Sequence, residues 1–192
     1  MKNHVPDLVI LSYDRANGEP WTESQDINQV SQGDADSSWV TTIISWIEDY
    51  NVDGHLDLYV IGYLRTPQTL LNDHNEIIGF AHECYQNKFY INNGNATFTE
   101  RAEEMNIANQ GCGLAVASTD VNGDSYPDIY VANDFGAWTL PNAYYENGFP
   151  SGTFLDLSEK SALDIAVYGM GVAIGDIDND GLFDYYVTNL GK

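Results

Sequence analysis

The sequence predicts an all-β protein in which a four-stranded antiparallel sheet recurs along the chain, with one acidic loop in each repeat. Two observations lead to this fold class. A nine-residue acidic segment occurs three times, and short runs rich in β-branched and aromatic residues, which are typical of strands, stand on both sides of each copy. Helix-like segments are limited to a turn or two between strands, at residues 100–105 and 158–163.

Each acidic segment places side-chain oxygens at positions 1, 3, 5 and 9. The copies are DYNVDGHLD at 49–57, DVNGDSYPD at 120–128 and DIDNDGLFD at 176–184. Oxygens crowded in this way repel one another unless a cation lies between them, and Ca²⁺ takes about six to eight oxygen ligands. The sequence therefore predicts three Ca²⁺ sites. Their side-chain ligands are Asp49, Asn51, Asp53 and Asp57; Asp120, Asn122, Asp124 and Asp128; and Asp176, Asp178, Asp180 and Asp184.

These loops do not follow the EF-hand pattern. An EF-hand closes with a bidentate Glu at position 12 and lies between helices. Position 12 is Val60, Val131 and Val187 in the three copies, and strand-like runs follow each loop. Strand-like runs also precede the loops, at 40–47, 114–117 and 172–174. Each unit is thus predicted as strand, calcium loop, strand, which excludes the EF-hand and dockerin folds.

The repeat extends beyond the loop. Residues 89–98 parallel 144–154, and both predict a hairpin around an Asn-Gly turn. Gly111 to Ala117 parallels Gly169 to Ala173, with a Gly-x-Gly start in each. The loops begin at Asp49, Asp120 and Asp176, which are 71 and 56 residues apart. Four strands in a period of this size are typical of β-propeller blades.

Two segments carry a family resemblance. DVNGDSYPDIYVAND (120–134) and GMGVAIGDIDNDGLFDYYVTN (169–189) resemble FG-GAP repeats of the VCBS type, the calcium-binding blades of integrin α-like β-propellers. KFYINNGNATFTE (88–100) is similar to the ASPIC/UnbV-related variant. The resemblance implies a calcium ion in the loop joining the first two strands of each blade, with a backbone carbonyl ligand at position 7: His55, Tyr126 or Leu182. Ser125 replaces the usual Gly, and we expect it to strain the second loop or weaken that site.

The repeats predict an incomplete propeller of about three blades. A partial blade spans 1–37, whole blades span 38–108 and 109–166 around loops 49–57 and 120–128, and a second partial blade with loop 176–184 spans 167–192. Residues 5–11 parallel 126–132, which puts Asp7 at position 9 of a further loop whose start would precede Met1. We therefore expect either a piece of a longer protein or copies that complete one another's blades.

Composition limits the partners. The chain of 192 residues has 29 acidic and 7 basic residues and a formal net charge of −22, so nucleic acid and anionic membranes are not expected to bind it. It contains no apolar run of membrane-spanning length, which argues against membrane insertion. Multi-carboxylate calcium sites suit compartments with millimolar calcium, so we expect the protein outside the cell or at its surface.

The sequence also contains two cysteines, a glycosylation sequon and a tryptophan that could contact a ligand. Cys84 and Cys112 lack metal-ligand spacing, which leaves a disulfide or two buried thiols. Asn95 begins a glycosylation sequon, Asn-Ala-Thr, within a predicted hairpin turn. Trp138 lies in a predicted loop and is the tryptophan best placed to stack on a bound sugar.

No nucleophile elbow, zincin helix or phosphate-binding loop occurs in the sequence, and its four histidines are scattered, so no catalytic residue and no enzyme activity are predicted. We expect a non-enzymatic, calcium-stabilised propeller region of an extracellular adhesion or recognition protein, with a protein or polysaccharide ligand. One alternative is a structural subunit of an extracellular fibre or surface layer, assembled by blade-to-blade packing. The other is an accessory region of a secreted polysaccharide-acting enzyme.

Overall fold

A computed structural model describes residues 44–64, 68–150 and 152–191, and its regular structure there is entirely β-strand. No described residue lies in a helix, so none forms a helix that could cross a membrane. Residues 102–106 and 158–162 form hydrogen-bonded turns instead. The predicted all-β class is confirmed. The predicted partial blade at 1–37 lies outside the described residues.

In the part of the chain that the structure describes, twelve strands form two four-stranded and two two-stranded antiparallel sheets. They are β1 (Ile44–Glu48), β2 (Asp57–Ile61), β3 (Gln68–Leu71), β4 (Ile77–Ala81), β5 (Lys88–Asn92), β6 (Phe98–Glu100), β7 (Gly113–Thr119), β8 (Asp128–Asn133), β9 (Ala143–Glu146), β10 (Leu155–Asp156), β11 (Gly169–Gly175) and β12 (Asp184–Asn189). The first large sheet has the order β1-β2-β5-β6 and the second the order β7-β8-β9-β10. The acidic loops join β1 to β2, β7 to β8 and β11 to β12, as the sequence predicted. The sheets of the described ranges do not close into a ring.

The sheets lie side by side, and β7 contacts both β1 and β11. Between the two large sheets, Tyr50, Phe89 and Phe154 meet edge to face with ring centroids 5.3 to 6.1 Å apart. Between the second large sheet and the β11–β12 pair, the ring centroids of Tyr130 and Tyr185 are 4.8 Å apart. Buried aromatic side chains supply much of the apolar area in such interfaces, so these contacts stabilise the packing of each sheet on its neighbour.

A buried amide–tyrosine pair recurs in the two large sheets. Asn87 Oδ1 accepts a hydrogen bond from Gly62 N at 2.8 Å, and its Nδ2 donates to the Tyr59 hydroxyl at 2.9 Å. That hydroxyl donates to the Ile107 carbonyl at 2.9 Å. The corresponding residues of the second sheet, which make the same bonds, are Asn142, Asn133, Tyr130 and Leu163. Because buried polar groups need partners, this pair fixes the second strand to the third in each repeat.

The structure corrects the predicted alignment of the glycine pairs. A β-bulge follows Gly113 in β7 and Gly169 in β11, and each of these glycines pairs with the last residue of the next strand. Gly113 therefore corresponds to Gly169, and the predicted match of Gly111 with Gly169 is wrong by two residues. Gly111 is needed for another reason, since a Cβ there would lie 2.2 Å from Asn133 Nδ2.

A hairpin that the sequence analysis did not predict lies between β2 and β5. Strands β3 and β4 pair antiparallel, and a turn from Asn72 to Glu76 joins them. Leu71, Ile77 and Phe80 on this hairpin are exposed. The hairpin accounts for the longer spacing between the first two acidic loops. Neither of its faces is buried, so its side chains show no alternating pattern by which the sequence could reveal it.

Candidate metal centres

The three acidic loops share one backbone conformation, with left-handed residues at positions 4 and 6. Position 6 has φ of 89° at Gly54, 74° at Ser125 and 85° at Gly181. Position 4 is also left-handed, with φ of 57°, 77° and 62° at the three residues Val52, Gly123 and Asn179. A side chain in this region carries a steric cost that glycine avoids, so Ser125 adopts the strained conformation that the sequence predicted.

Backbone amides orient the carboxylates of each loop in the same way. Asp49 accepts hydrogen bonds from Asp53 N at 3.0 Å and Gly54 N at 2.8 Å, one on each carboxylate oxygen. Asp53 accepts one from His55 N at 2.9 Å. The acceptors at positions 1 and 5 of the other loops, which receive the same bonds, are Asp120, Asp124, Asp176 and Asp180. The sequence thus folds each segment so that its acidic side chains are held by its own main chain.

Position 9 connects the loop to the sheet behind it. Asp57 accepts hydrogen bonds from Tyr50 N at 3.2 Å and from Asn92 N, at the end of β5, at 2.9 Å. Asp128 is bonded in the same way by Val121 N and by Asn147 N, just after β9. Asp184 accepts a hydrogen bond from Ile177 N at 2.8 Å. Position 9 therefore couples the acidic loop to the third strand in both large sheets.

Both position-9 carboxylates of the large sheets are buried, which affects their ionisation. The pKa of Asp57 is raised to about 6, chiefly by burial and to a smaller extent by the negative charges of Asp53 and Asp49. The hydrogen bonds from the amides of Asn92 and Tyr50 act in the opposite direction and lower it. Burial also raises the pKa of Asp128, although hydrogen bonds from Asn147, Val121 and Tyr144 lower it. A cation beside either carboxylate would offset this cost, because opposite charge favours the ionised form.

Three carboxylates converge in the third loop. One carboxylate oxygen from each of Asp176, Asp178 and Asp184 lies within 4.8 Å of the others. This set of hard oxygen donors fits Ca²⁺. In the first two loops position 3 is an asparagine, and its amide nitrogen donates to the position-5 carboxylate at 3.0 Å.

At position 7 the residues implied as carbonyl ligands differ widely in their side chains. The Tyr126 ring stacks on Phe149 with centroids 6.4 Å apart, and His55 lies against Gly94. Leu182 is exposed. Because the three side chains share no chemistry, a common role at this position falls to the backbone oxygen.

The structure joins Cys84 and Cys112 in a disulfide with a Cα–Cα distance of 4.9 Å, and both residues are buried. The bond ties the segment after β4 to the start of β7. Asn95 is exposed in the turn between β5 and β6, where its Oδ1 accepts a hydrogen bond from Thr97 N at 3.1 Å.

Sequence reasoning missed Asn92 and Asn147, although a signal for both was present. Each is an Asn at or just after the end of the third strand, within the INNG and YENG segments that predicted hairpins. Asn147 Nδ2 also donates to the carbonyls of Pro127 and Tyr50, at 3.0 and 2.8 Å. It thereby joins the first two acidic loops, which places them at the same end of neighbouring sheets.

The fold and these loops define a class of all-β repeat proteins with one acidic loop in each repeat. The FG-GAP-like repeat family matches the chain twice, at residues 49–131 and 120–187. The two matches begin at the first aspartates of the first and second loops, and together they span more than half of the chain. The protein belongs to the FG-GAP-like repeat family. Curated proteins gave no match to the chain.

Proposed function

We propose that this chain is a calcium-stabilised, non-enzymatic propeller region of an extracellular or cell-surface adhesion or recognition protein. One observation carries the proposal: three separate acidic loops repeat the same left-handed positions and the same hydrogen bonds to their aspartates. A solvated acidic turn has no reason to keep this conformation three times, whereas a shared ligand does.

In this proposal Ca²⁺ stabilises each sheet through position 9. The ion would be held by side-chain oxygens at positions 1, 3, 5 and 9 and by the carbonyl at position 7. Asp57 and Asp128 reach from the loop to the amide of the third strand, so an ion bound to them stabilises the β1–β2–β5 and β7–β8–β9 connections. Each ion adds two positive charges, so three ions change the formal net charge from −22 to −16.

The propeller assignment rests on the arrangement of the sheets. Four-stranded antiparallel units packed side by side through their first strands are the arrangement of propeller blades. The extracellular assignment rests on calcium chemistry, because open acidic loops of this kind are useful where calcium is millimolar. The disulfide is consistent with that compartment.

Counting bound ions tests the proposal. Equilibrium dialysis of the chelator-treated chain against millimolar ⁴⁵Ca²⁺ should give about three ions per molecule. The variant Asp176→Asn/Asp178→Asn/Asp184→Asn should lose one of them. Glu159→Gln/Glu103→Gln/Glu104→Gln removes the same charge outside the loops and serves as the matched control. No bound calcium, or equal loss in both variants, would reject the proposal.

A further inference from the structure

Four aromatic side chains form a connected surface, which we call the aromatic platform: His82, Phe135, Trp138 and Tyr168. The His82 and Phe135 rings stack with centroids 4.2 Å apart, and Phe135 meets Tyr168 edge-on at 5.9 Å. Trp138 Nε1 donates to the Tyr168 hydroxyl at 3.3 Å. Trp138 is nevertheless 68% exposed, so much of its large aromatic side chain is accessible to a ligand.

The platform is held in place by buried polar contacts. Phe135 and Trp138 belong to the segment that follows β8, whereas the second acidic loop precedes β8, so these two residues and that loop lie at opposite ends of the strand. Asp134 is buried and accepts hydrogen bonds from the Tyr63 hydroxyl and Phe135 N, both at 2.9 Å. Trp138 N donates to the Phe135 carbonyl at 2.7 Å. A site fixed in this way loses little entropy when it binds a ligand.

An open groove with both polar and apolar lining residues adjoins the platform. It consists of two open depressions of about 350 and 410 Å³, and Gln110 and Leu140 line both of them. His82 and Thr139, which directly follows Trp138, line the first depression. The charged side chains that line the groove are all carboxylates: Glu83, Glu103 and Asp156.

We propose that the groove and the aromatic platform bind a neutral polysaccharide chain. A sugar ring has an apolar face that can stack on Trp138 and an edge of hydroxyl groups that can bond to amides and carboxylates. An open groove suits an extended polymer better than an enclosed small molecule. The three carboxylates and the net charge of −22 repel anionic glycans. Charged residues are depleted at the centres of protein–protein interfaces, so the three carboxylates disfavour a protein partner here.

This inference rests on the proposed recognition function and names its ligand. The binding test uses the full chain with saturating Ca²⁺ and native electrophoresis through gels that contain one polymer each. The neutral probes are hydroxyethylcellulose, galactomannan and soluble β-1,3-glucan. Carboxymethylcellulose shares its backbone with the first probe but is anionic, which makes it the matched control. At least one neutral polymer should retard the chain, and carboxymethylcellulose should not.

Substitutions then locate the site. Trp138→Ala should weaken binding to the retarding polymer by about tenfold, as expected for a central aromatic contact. Trp138→Tyr should retain most of the affinity. Phe80→Ala removes another exposed aromatic ring, on β4 and outside the groove lining, and should have no effect. All three variants should have the same melting temperature as the unmodified chain, because Trp138 and Phe80 are both exposed.

Several results would overturn the inference: no retardation by any neutral polymer, equal retardation by carboxymethylcellulose, or unchanged binding after Trp138→Ala. Each leaves the calcium proposal standing, because that proposal is judged by ion stoichiometry. Conversely, absence of bound calcium would reject the proposed function even if a polymer still retarded the chain.

Discussion

The backbone N–H of Asn147 donates a hydrogen bond to the carboxylate of Asp128 at 2.8 Å, and this bond joins the third strand of the second sheet to its acidic loop. The same relationship exists between Asn92 and Asp57 in the first sheet at 2.9 Å. The first two acidic loops are therefore attached to the core of their sheets. A change in a loop should affect the stability of the whole sheet.

The first prediction compares these two asparagines. Asn147→Ala removes side-chain bonds to the carbonyls of Pro127 and Tyr50 at a buried position, whereas Asn92→Ala removes an exposed bond to the Leu56 carbonyl. Each variant also loses a local bond that the side-chain oxygen accepts, from Phe149 N in Asn147 and from Gly94 N in Asn92. Leaving buried acceptors without donors costs about 1–3 kcal/mol each. We expect Asn147→Ala to lower the free energy of unfolding in urea by about 2–4 kcal/mol and Asn92→Ala by under about 1 kcal/mol. Equal losses would contradict the assignment of Asn147 as the link between neighbouring sheets.

The second prediction concerns the strained position 6. Ser125 has φ of 74°, where a non-glycine residue costs about 1–2 kcal/mol. Ser125→Gly should raise the free energy of unfolding by up to about 1 kcal/mol, because glycine's greater freedom in the unfolded chain offsets part of the gain. The matched variant is Gly54→Ser, where the added Cβ meets no atom within 4 Å. It should be destabilising. If both changes destabilise, the backbone strain at Ser125 is not significant.

The third prediction ranks the loops. The third loop has four carboxylates with Gly181 at position 6, whereas the second has Asn122 in place of one carboxylate and Ser125 at position 6. We therefore expect the third loop to bind calcium most tightly and the second most weakly. Asp180→Ala should reduce calcium-dependent stabilisation more than Asp124→Ala, as measured by the melting temperature in millimolar calcium. A larger effect of Asp124→Ala would reverse the ranking.

The fourth prediction concerns the disulfide. Cys84 and Cys112 are 28 residues apart, and closing a loop of this length stabilises a protein by about 3–4 kcal/mol in the chain-entropy model. Cys84→Ser/Cys112→Ser should lower the free energy of unfolding by about that amount. Dithiothreitol should destabilise the parent and leave the double variant unchanged. A parent that is insensitive to the reductant would show that the bond contributes little.

The sequence predicted the repeated elements well because their signals are local. The strand–loop–strand units and both Asn-Gly hairpins follow from side-chain type and spacing within about ten residues. The β3–β4 hairpin was missed because neither of its faces is buried. The correspondence of Gly113 with Gly169 was missed because a β-bulge is set by pairing between strands, which spacing alone does not reveal.

At the candidate metal centres, sequence reasoning identified the acidic residues but not their support. The amides of Asn92 and Asn147 come from a strand that lies far along the chain from the loop they contact. The burial that raises the pKa of Asp57 also exists only in the folded chain. Such contacts arise from the tertiary fold. The aromatic platform is of the same kind, since it brings together residues from three separate segments.

The measurement that tests the calcium account most directly is the melting temperature of the full chain after chelation. Ligand binding to the folded state stabilises it by mass action, so excess chelator should lower the melting temperature and millimolar Ca²⁺ should restore it. Mg²⁺ at the same concentration should restore much less, because it requires a smaller, near-octahedral ligand shell. A melting curve that is unchanged by excess chelator, or restored equally by both ions, would contradict a structural role for calcium in these loops.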